Sequence, residues 1–94
     1  MTTDVDRIRE WVSEWNDEAL LADGFEDALV GVCERIGAMP VVAYDRNECV
    51  NILMDRDGMT YEEAVEYFEF NVVGAYVGEG TPVFLTLWDA EMGE

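Results

Sequence analysis

The sequence predicts an α+β domain of about four helices packed on a minimal two- or three-stranded sheet. Three observations carry that prediction. Apolar residues return at helical spacing in four stretches. The clearest spans residues 60–74, where Tyr61, Ala64, Val65, Phe68 and Val72 fall at i, i+3, i+4, i+7 and i+11, the stripe of a helix with one face on a core. Residues 40–44 and 82–87 are short apolar runs, partly β-branched, of the kind that form buried strands. Half of the 94 residues are hydrophobic, enough for one core that removes roughly 60–65% of the unfolded chain's surface from water. Residues 1–94 therefore read as a single domain, with 1–3 and 89–94 frayed for want of an anchor.

In chain order, Thr3 with Asp6 reads as a capping box, and Val5, Ile8, Trp11 or Val12, and Trp15 follow at helical spacing, giving a first helix over about 4–15. Its two tryptophans are read as closing a small core rather than anchoring a partner. Residues 16–18 break the pattern, 19–22 suggest a short helical turn, and Asp23-Gly24 is a turn signal. Phe25, Ala28, Leu29, Val32 and Ile36 form a second apolar stripe, with Gly37 placed just past the end of the helix it predicts. After the strand at 40–44, Asp45 and Glu48 read as a capping box for a helix whose wide apolar face is Cys49, Val50, Ile52, Leu53 and Met54. Asp57-Gly58 ends it, and Thr60 with Glu63 caps the next. So short a link makes those two helices neighbours. Beyond Gly74, a turn around Gly78 to Thr81, with room for a brief hairpin, leads to the last strand, which Pro82 should open or border. The two strands are joined through the helical pair, as parallel neighbours require, but antiparallel pairing is equally open. The expected core is Ile8, Val12, Trp15, Phe25, Leu29, Val32, Val41, Ala43, Ile52, Leu53, Val65, Phe68, Val72, Val83 and Leu85.

Charge is the outlier. Twenty-two acidic residues against five arginines and no lysine give −17, and residues 57–94 hold nine acids and no base. Direct binding to DNA, RNA or an anionic membrane is disfavoured, because such affinities come from Lys and Arg against phosphate. Three explanations of the acidity compete: solubility, a salt-rich cytoplasm, and a surface made for a basic partner. No run approaches the roughly 18–20 apolar residues of a membrane span. Residues 1–6 lack the basic and apolar regions of a signal peptide, so a cytoplasmic protein is expected.

Catalytic motifs fail one after another. With no histidine and Ser13 the one serine, no Ser-His or Cys-His pair can be built, and the usual zinc sites are excluded. Cys33 and Cys49, both within helical patterns, are read as small buried hydrophobes rather than a disulfide. Asp55-Arg56-Asp57-Gly58 resembles the middle of a calcium loop, but its first and twelfth places would be Leu53 and Ala64, which cannot ligate. Gly74, Gly78 and Gly80 lack the basic residue a phosphate cradle needs. No enzyme, cofactor or metal site is expected.

Tyr44-Asp45, Cys49, Ile52-Leu53-Met54, Arg56-Asp57-Gly58-Met59-Thr60, Glu62-Glu63-Ala64, Phe68-Glu69-Phe70-Asn71-Val72, Gly74-Ala75-Tyr76-Val77-Gly78 and Thr81-Pro82-Val83-Phe84 resemble a family of small acidic proteins encoded in bacteriophages and prophages. The resemblance covers about 25–85 and implies a phage or mobile-element origin. It brings no catalytic residue and lends nothing to Trp11 and Trp15.

The function expected is therefore a non-enzymatic acidic binding protein that occupies a basic, nucleic-acid-binding surface of a partner, as a DNA mimic or host-defence inhibitor. Its candidate surface is Glu62, Glu63, Glu66 and Glu69, extended by Asp57 and Glu79. Successive helical turns space such carboxylates about 5–6 Å apart, near the roughly 7 Å between phosphates along a strand. The alternatives are a solvated helix face with no such role, and a small accessory domain whose acidity serves solubility or a high-salt cytoplasm.

Overall fold

A computed structural model describes residues 5–75 and 77–88. The expectations for 1–3, for the Thr3 cap and for 89–94 lie outside these residues. The chain runs α1 (Val5–Ser13), a 3₁₀ turn (Glu26–Ala28), β1 (Leu29–Arg35), β2 (Ala38–Asp45), α2 (Arg46–Asp57), α3 (Tyr61–Phe68), a π-helical turn (Glu69–Val73) and β3 (Val83–Leu85). The fold is α+β, with the mixed sheet in the order β1-β2-β3. β1 and β2 are antiparallel, whereas β2 and β3 are parallel, which settles the pairing that the sequence left open. The α2–α3 pair is the crossover that parallel neighbours need.

The largest departure concerns the helix expected from Phe25 to Ile36, so that the described residues hold three α-helices where about four were expected. The apolar stripe is real, but only Phe25 and Ala28 are buried, in and beside the 3₁₀ turn, while Ile36 is fully exposed. Val30-Gly31-Val32 explains the outcome. Glycine costs about 1 kcal/mol inside a helix relative to alanine, and β-branched residues lose rotamer freedom there. As a strand the same run pairs across β2, with Gly31 opposite Ala43, Val32 opposite Val42 and Cys33 opposite Val41. Cys33 therefore lies in a strand and is half-buried, not in a helix. Gly37, with φ +82°, closes the hairpin instead of capping a helix, and Arg35 pairs with Ala38 across the two-residue turn. Ile36 has negative φ, which excludes the primed turn types.

The core sits between β2 and the two helices that follow it. Val42 and Tyr44 from the strand, Cys49, Val50 and Leu53 from α2, and Ala64 and Phe68 from α3 are all buried, joined by Val12, Phe25 and Ala28. Phe68 lies edge-on to Phe25 (6.5 Å between centroids) and to Phe84 (5.1 Å), and Phe84 stacks on Tyr44 at 5.8 Å. The Tyr44 hydroxyl accepts from the Ala22 N–H at 2.8 Å, which satisfies a buried polar group and ties down the 19–22 segment. Buried Asn16 does the same for the α1 exit: its Nδ2 donates to the Pro40 carbonyl at 2.9 Å, and its Oδ1 accepts from the Glu18 N–H at 3.0 Å.

Of the expected core, Val12, Phe25, Ala43, Leu53 and Phe68 are buried. Ile8, Leu29, Ile52, Val65 and Val72 pack against the core half-buried, and Val32, Val41, Val83 and Leu85 are likewise intermediate. Trp15 was misassigned. It lies beyond the last turn of α1 and is 44% exposed, as Trp11 is to a similar extent. Tyr61 stands first in α3, where its ring overhangs solvent at 64% exposure.

Candidate partner-binding surface

Helix α3 presents the carboxylate row, and its start is fixed by local chemistry. Gly58 ends α2 in the left-handed conformation (φ +69°), its N–H donating to the Met54 carbonyl at 3.1 Å. Thr60 then caps α3. Its Oγ1 accepts from the Glu63 N–H at 3.2 Å, and its own N–H donates to Glu63 Oε1 at 3.0 Å, the reciprocal capping box the sequence predicts. The cap at α2 is one-sided. Asp45 Oδ1 accepts from the N–H groups of Asn47 and Glu48 at 2.9 and 3.4 Å, but the Glu48 carboxylate turns to Asn51 Nδ2 instead of closing a box.

With Ala64 and Phe68 turned into the core, the opposite face of α3 must carry Glu62, Glu63 and Glu66, continued by Glu69 at the start of the π-helical turn, and all four are exposed. They differ in what they hold. Glu63 is engaged in the cap. Glu69 is ion-paired with Arg46, whose guanidinium lies over the Phe68 ring at 5.2 Å. The carboxylates of Glu62 and Glu66 make no hydrogen bond or ion pair among the described residues. Asp57, at the end of α2, is bound by Arg56 through two contacts of 3.1 Å, which hold its carboxyl below the usual range. Arg56 itself covers the Phe25 ring at 5.6 Å and donates to the Gly24 carbonyl at 3.1 Å. Glu79 stands apart, in the turn before β3. There it borders a groove on the sheet with Cys33, Arg35, Met39 and Val41. The structure thus gathers Glu62, Glu63, Glu66 and Glu69 along one helical segment and does not bring Glu79 to them.

The site also includes residues the sequence reading passed over. After Phe68 the helix widens into one π-helical turn, in which the Gly74 N–H donates to the Glu69 carbonyl at 3.1 Å. A Cβ on Gly74 would stand 3.0 Å from the Phe70 carbonyl oxygen and 3.2 Å from that of Glu69, so glycine fits this closure tightly. Within the turn Phe70 is 77% exposed and Val73 partly so, and Tyr67 in the last turn of α3 is also partly exposed. Met59, Glu63, Glu66, Tyr67, Phe70 and Asn71 line one open groove on this flank. The clue available in the sequence was that Phe70 falls off the apolar stripe of α3.

Burial, reinforced by Asp45 and Glu48, pushes the Cys49 thiol up to about 12, so it stays protonated and inert. Burial likewise raises the Tyr44 hydroxyl, against the opposing effect of the Ala22 N–H. Among the described residues no three Cys, Asp or Glu side chains gather as a metal site, and no helix is long and apolar enough to cross a membrane. Comparison of the chain with protein-family models, curated proteins and solved structures finds no match.

Proposed function

We propose that this chain is a non-enzymatic acidic binding protein of phage origin that occupies a basic, nucleic-acid-binding surface of a partner protein. It acts there as a DNA mimic or host-defence inhibitor in the host cytoplasm. The observation that carries this reading is the exposed glutamate row of α3, in a stretch from residue 57 onward that has no basic residue. Like charges four residues apart disfavour a helix by a few tenths of a kcal/mol per pair. Glu62 and Glu66 stand in that relation without a compensating cation. A basic groove would supply the missing positive charge, with association fast at low salt and slowed by added salt. Glu69 and Asp57, already paired with arginines, contribute less.

A second reading has its own observation: exposed acids are also spread over α1, the 17–27 segment and α2. On that reading the acidity serves solubility or a high-salt cytoplasm, and no face is special.

Affinity capture from a phage host, followed by binding measurements on the triple variant Glu62→Lys, Glu66→Lys, Glu69→Lys, tests the first reading. Loss of binding in a folded variant is expected. Undiminished affinity would leave the row as a solvated face. Thermal melts from low to molar salt test the second. A salt-adapted domain at −17 is unfolded or weak at low salt, where self-repulsion is least screened, whereas the binder folds without added salt.

A further inference from the structure

We infer that the groove between Met59, Glu66, Tyr67 and Phe70 takes an arginine side chain, in preference to lysine, from an exposed segment of the partner protein. This rests on the binding role proposed above and names the chemistry of the contact. The chain itself supplies two examples of the arrangement. Arg46 lies over Phe68 and is closed by Glu69; Arg56 lies over Phe25 and is closed by Asp57. Each set is a ring face, a guanidinium and a carboxylate.

The groove repeats two of those three groups. Phe70 is 77% exposed, Tyr67 lies three residues before it and is partly exposed, and Glu66 has no partner among the described residues. Glu63 keeps one oxygen, Oε1, in the cap. No arginine lines the groove. Arg56 is committed to Asp57, Phe25 and the Gly24 carbonyl.

The occupant follows from charge and shape. An aromatic face beside an unpaired carboxylate complements a flat, weakly hydrated cation, which can stack on the ring while its N–H groups fork onto the carboxylate. An ammonium is a compact, strongly hydrated point charge. It gains the ion pair but less of the stacking. A purely apolar segment would leave Glu66 desolvated without a partner.

The test uses the full chain with nona-arginine and nona-lysine, which carry equal charge, at about 150 mM salt. Binding is read by ¹H–¹⁵N chemical shifts and by titration of wild type, Phe70→Ala, Phe70→Tyr and Glu66→Gln. Nona-arginine is expected to bind about three- to tenfold tighter, the scale of one desolvating cation–π contact, with the largest shifts at Tyr67, Phe70 and Asn71. Phe70→Ala should erase the arginine preference, weakening the arginine peptide more than the lysine peptide, and Phe70→Tyr should keep it. Glu66→Gln should weaken both peptides. Phe70 is exposed, so these variants should fold, and circular dichroism checks that they do. Equal affinities in wild type, or an arginine preference that survives Phe70→Ala, would overturn the inference. If that happened while the α3 triple Glu→Lys variant still lost its captured partner, the binding role would stand with the groove uninvolved. Absence of binding by either peptide would overturn this inference as well.

Discussion

Phe68 and Phe70 stand two residues apart on one helical segment and in opposite situations. Phe68 is fully buried, edge-on to Phe25 and Phe84, with Arg46 over its face and Glu69 holding that arginine. Phe70 is mostly exposed, beside Tyr67 and Glu66, with no guanidinium in the groove they line. The same chemical groups are complete on one flank of the α2–α3 pair and incomplete on the other. Carboxylates on the first flank close contacts that hold the fold together. On the second, Glu63 serves the α3 cap but Glu66 closes no contact, and that difference separates acidity spent on the fold from acidity left over.

The difference should be widest in a pair of truncations. Phe68→Ala removes the ring at the centre of the aromatic cluster and is expected to cost about 3–5 kcal/mol, a large part of the stability of so small a domain. Phe70→Ala is expected to stay within about 0.5 kcal/mol of wild type. Urea denaturation of both variants checks this, and comparable losses would mean that the two flanks are not distinct.

Thr60→Ala acts on the start of α3, where it breaks both hydrogen bonds of the capping box. A loss of about 1 kcal/mol is expected by thermal or chemical melting. Asp45→Ala, where the cap is one-sided, should cost somewhat less.

Those two caps also mark what was legible in the sequence. Helices α2 and α3 announced themselves because cap, stripe and stop all pointed the same way: Asp45 to Gly58, then Thr60 to Val72. The 25–36 segment had a stripe but no agreeing signals at its start, and Val30-Gly31-Val32 at its centre favoured a strand. Spacing alone could not separate Phe25 and Ala28, which are buried as a helix's residues would be, from Ile36, which is exposed at the hairpin tip. Cys49 was read as a buried hydrophobe and is one, whereas Tyr44 and Ala64, also at the centre of the core, were not singled out because their burial depends on which elements meet. The carboxylate row was readable from spacing. Its division into paired and unpaired members was not, since Arg46 reaches Glu69 from another helix. Phe70 was open to the same spacing argument, since it falls off the apolar stripe of α3.

A smaller effect is expected at the paired flank. Arg46→Met keeps the stem but removes the guanidinium from Phe68 and Glu69, and the part-exposed contact should cost about 0.5–1 kcal/mol, diminishing with added salt. The Arg56–Asp57 pair gives the faintest signal, in its pH dependence. Asp57 has its carboxyl lowered by Arg56, so the pair's contribution is present above the ordinary value of 3.8 and fades as pH falls through the lower folded value. Melts of wild type and Asp57→Asn should differ by the same small amount from pH 7 down to about pH 4 and converge only below it. Convergence nearer neutrality would contradict the assignment.

The central claim is that location on α3, and not total charge, makes the acidic surface a binding site. The most direct measurement compares two neutralised pairs of equal charge and spacing: Glu62→Gln with Glu66→Gln on α3, and Glu10→Gln with Glu14→Gln at α1, where both residues are also exposed. Affinity for the basic partner recovered from the host is measured for each at one salt concentration. At least a roughly tenfold loss is expected for the α3 pair, about the 1.4 kcal/mol of one desolvated ion pair, and less than about a twofold change for the α1 pair. Equal losses from both pairs would show that only net charge matters and would contradict the claim.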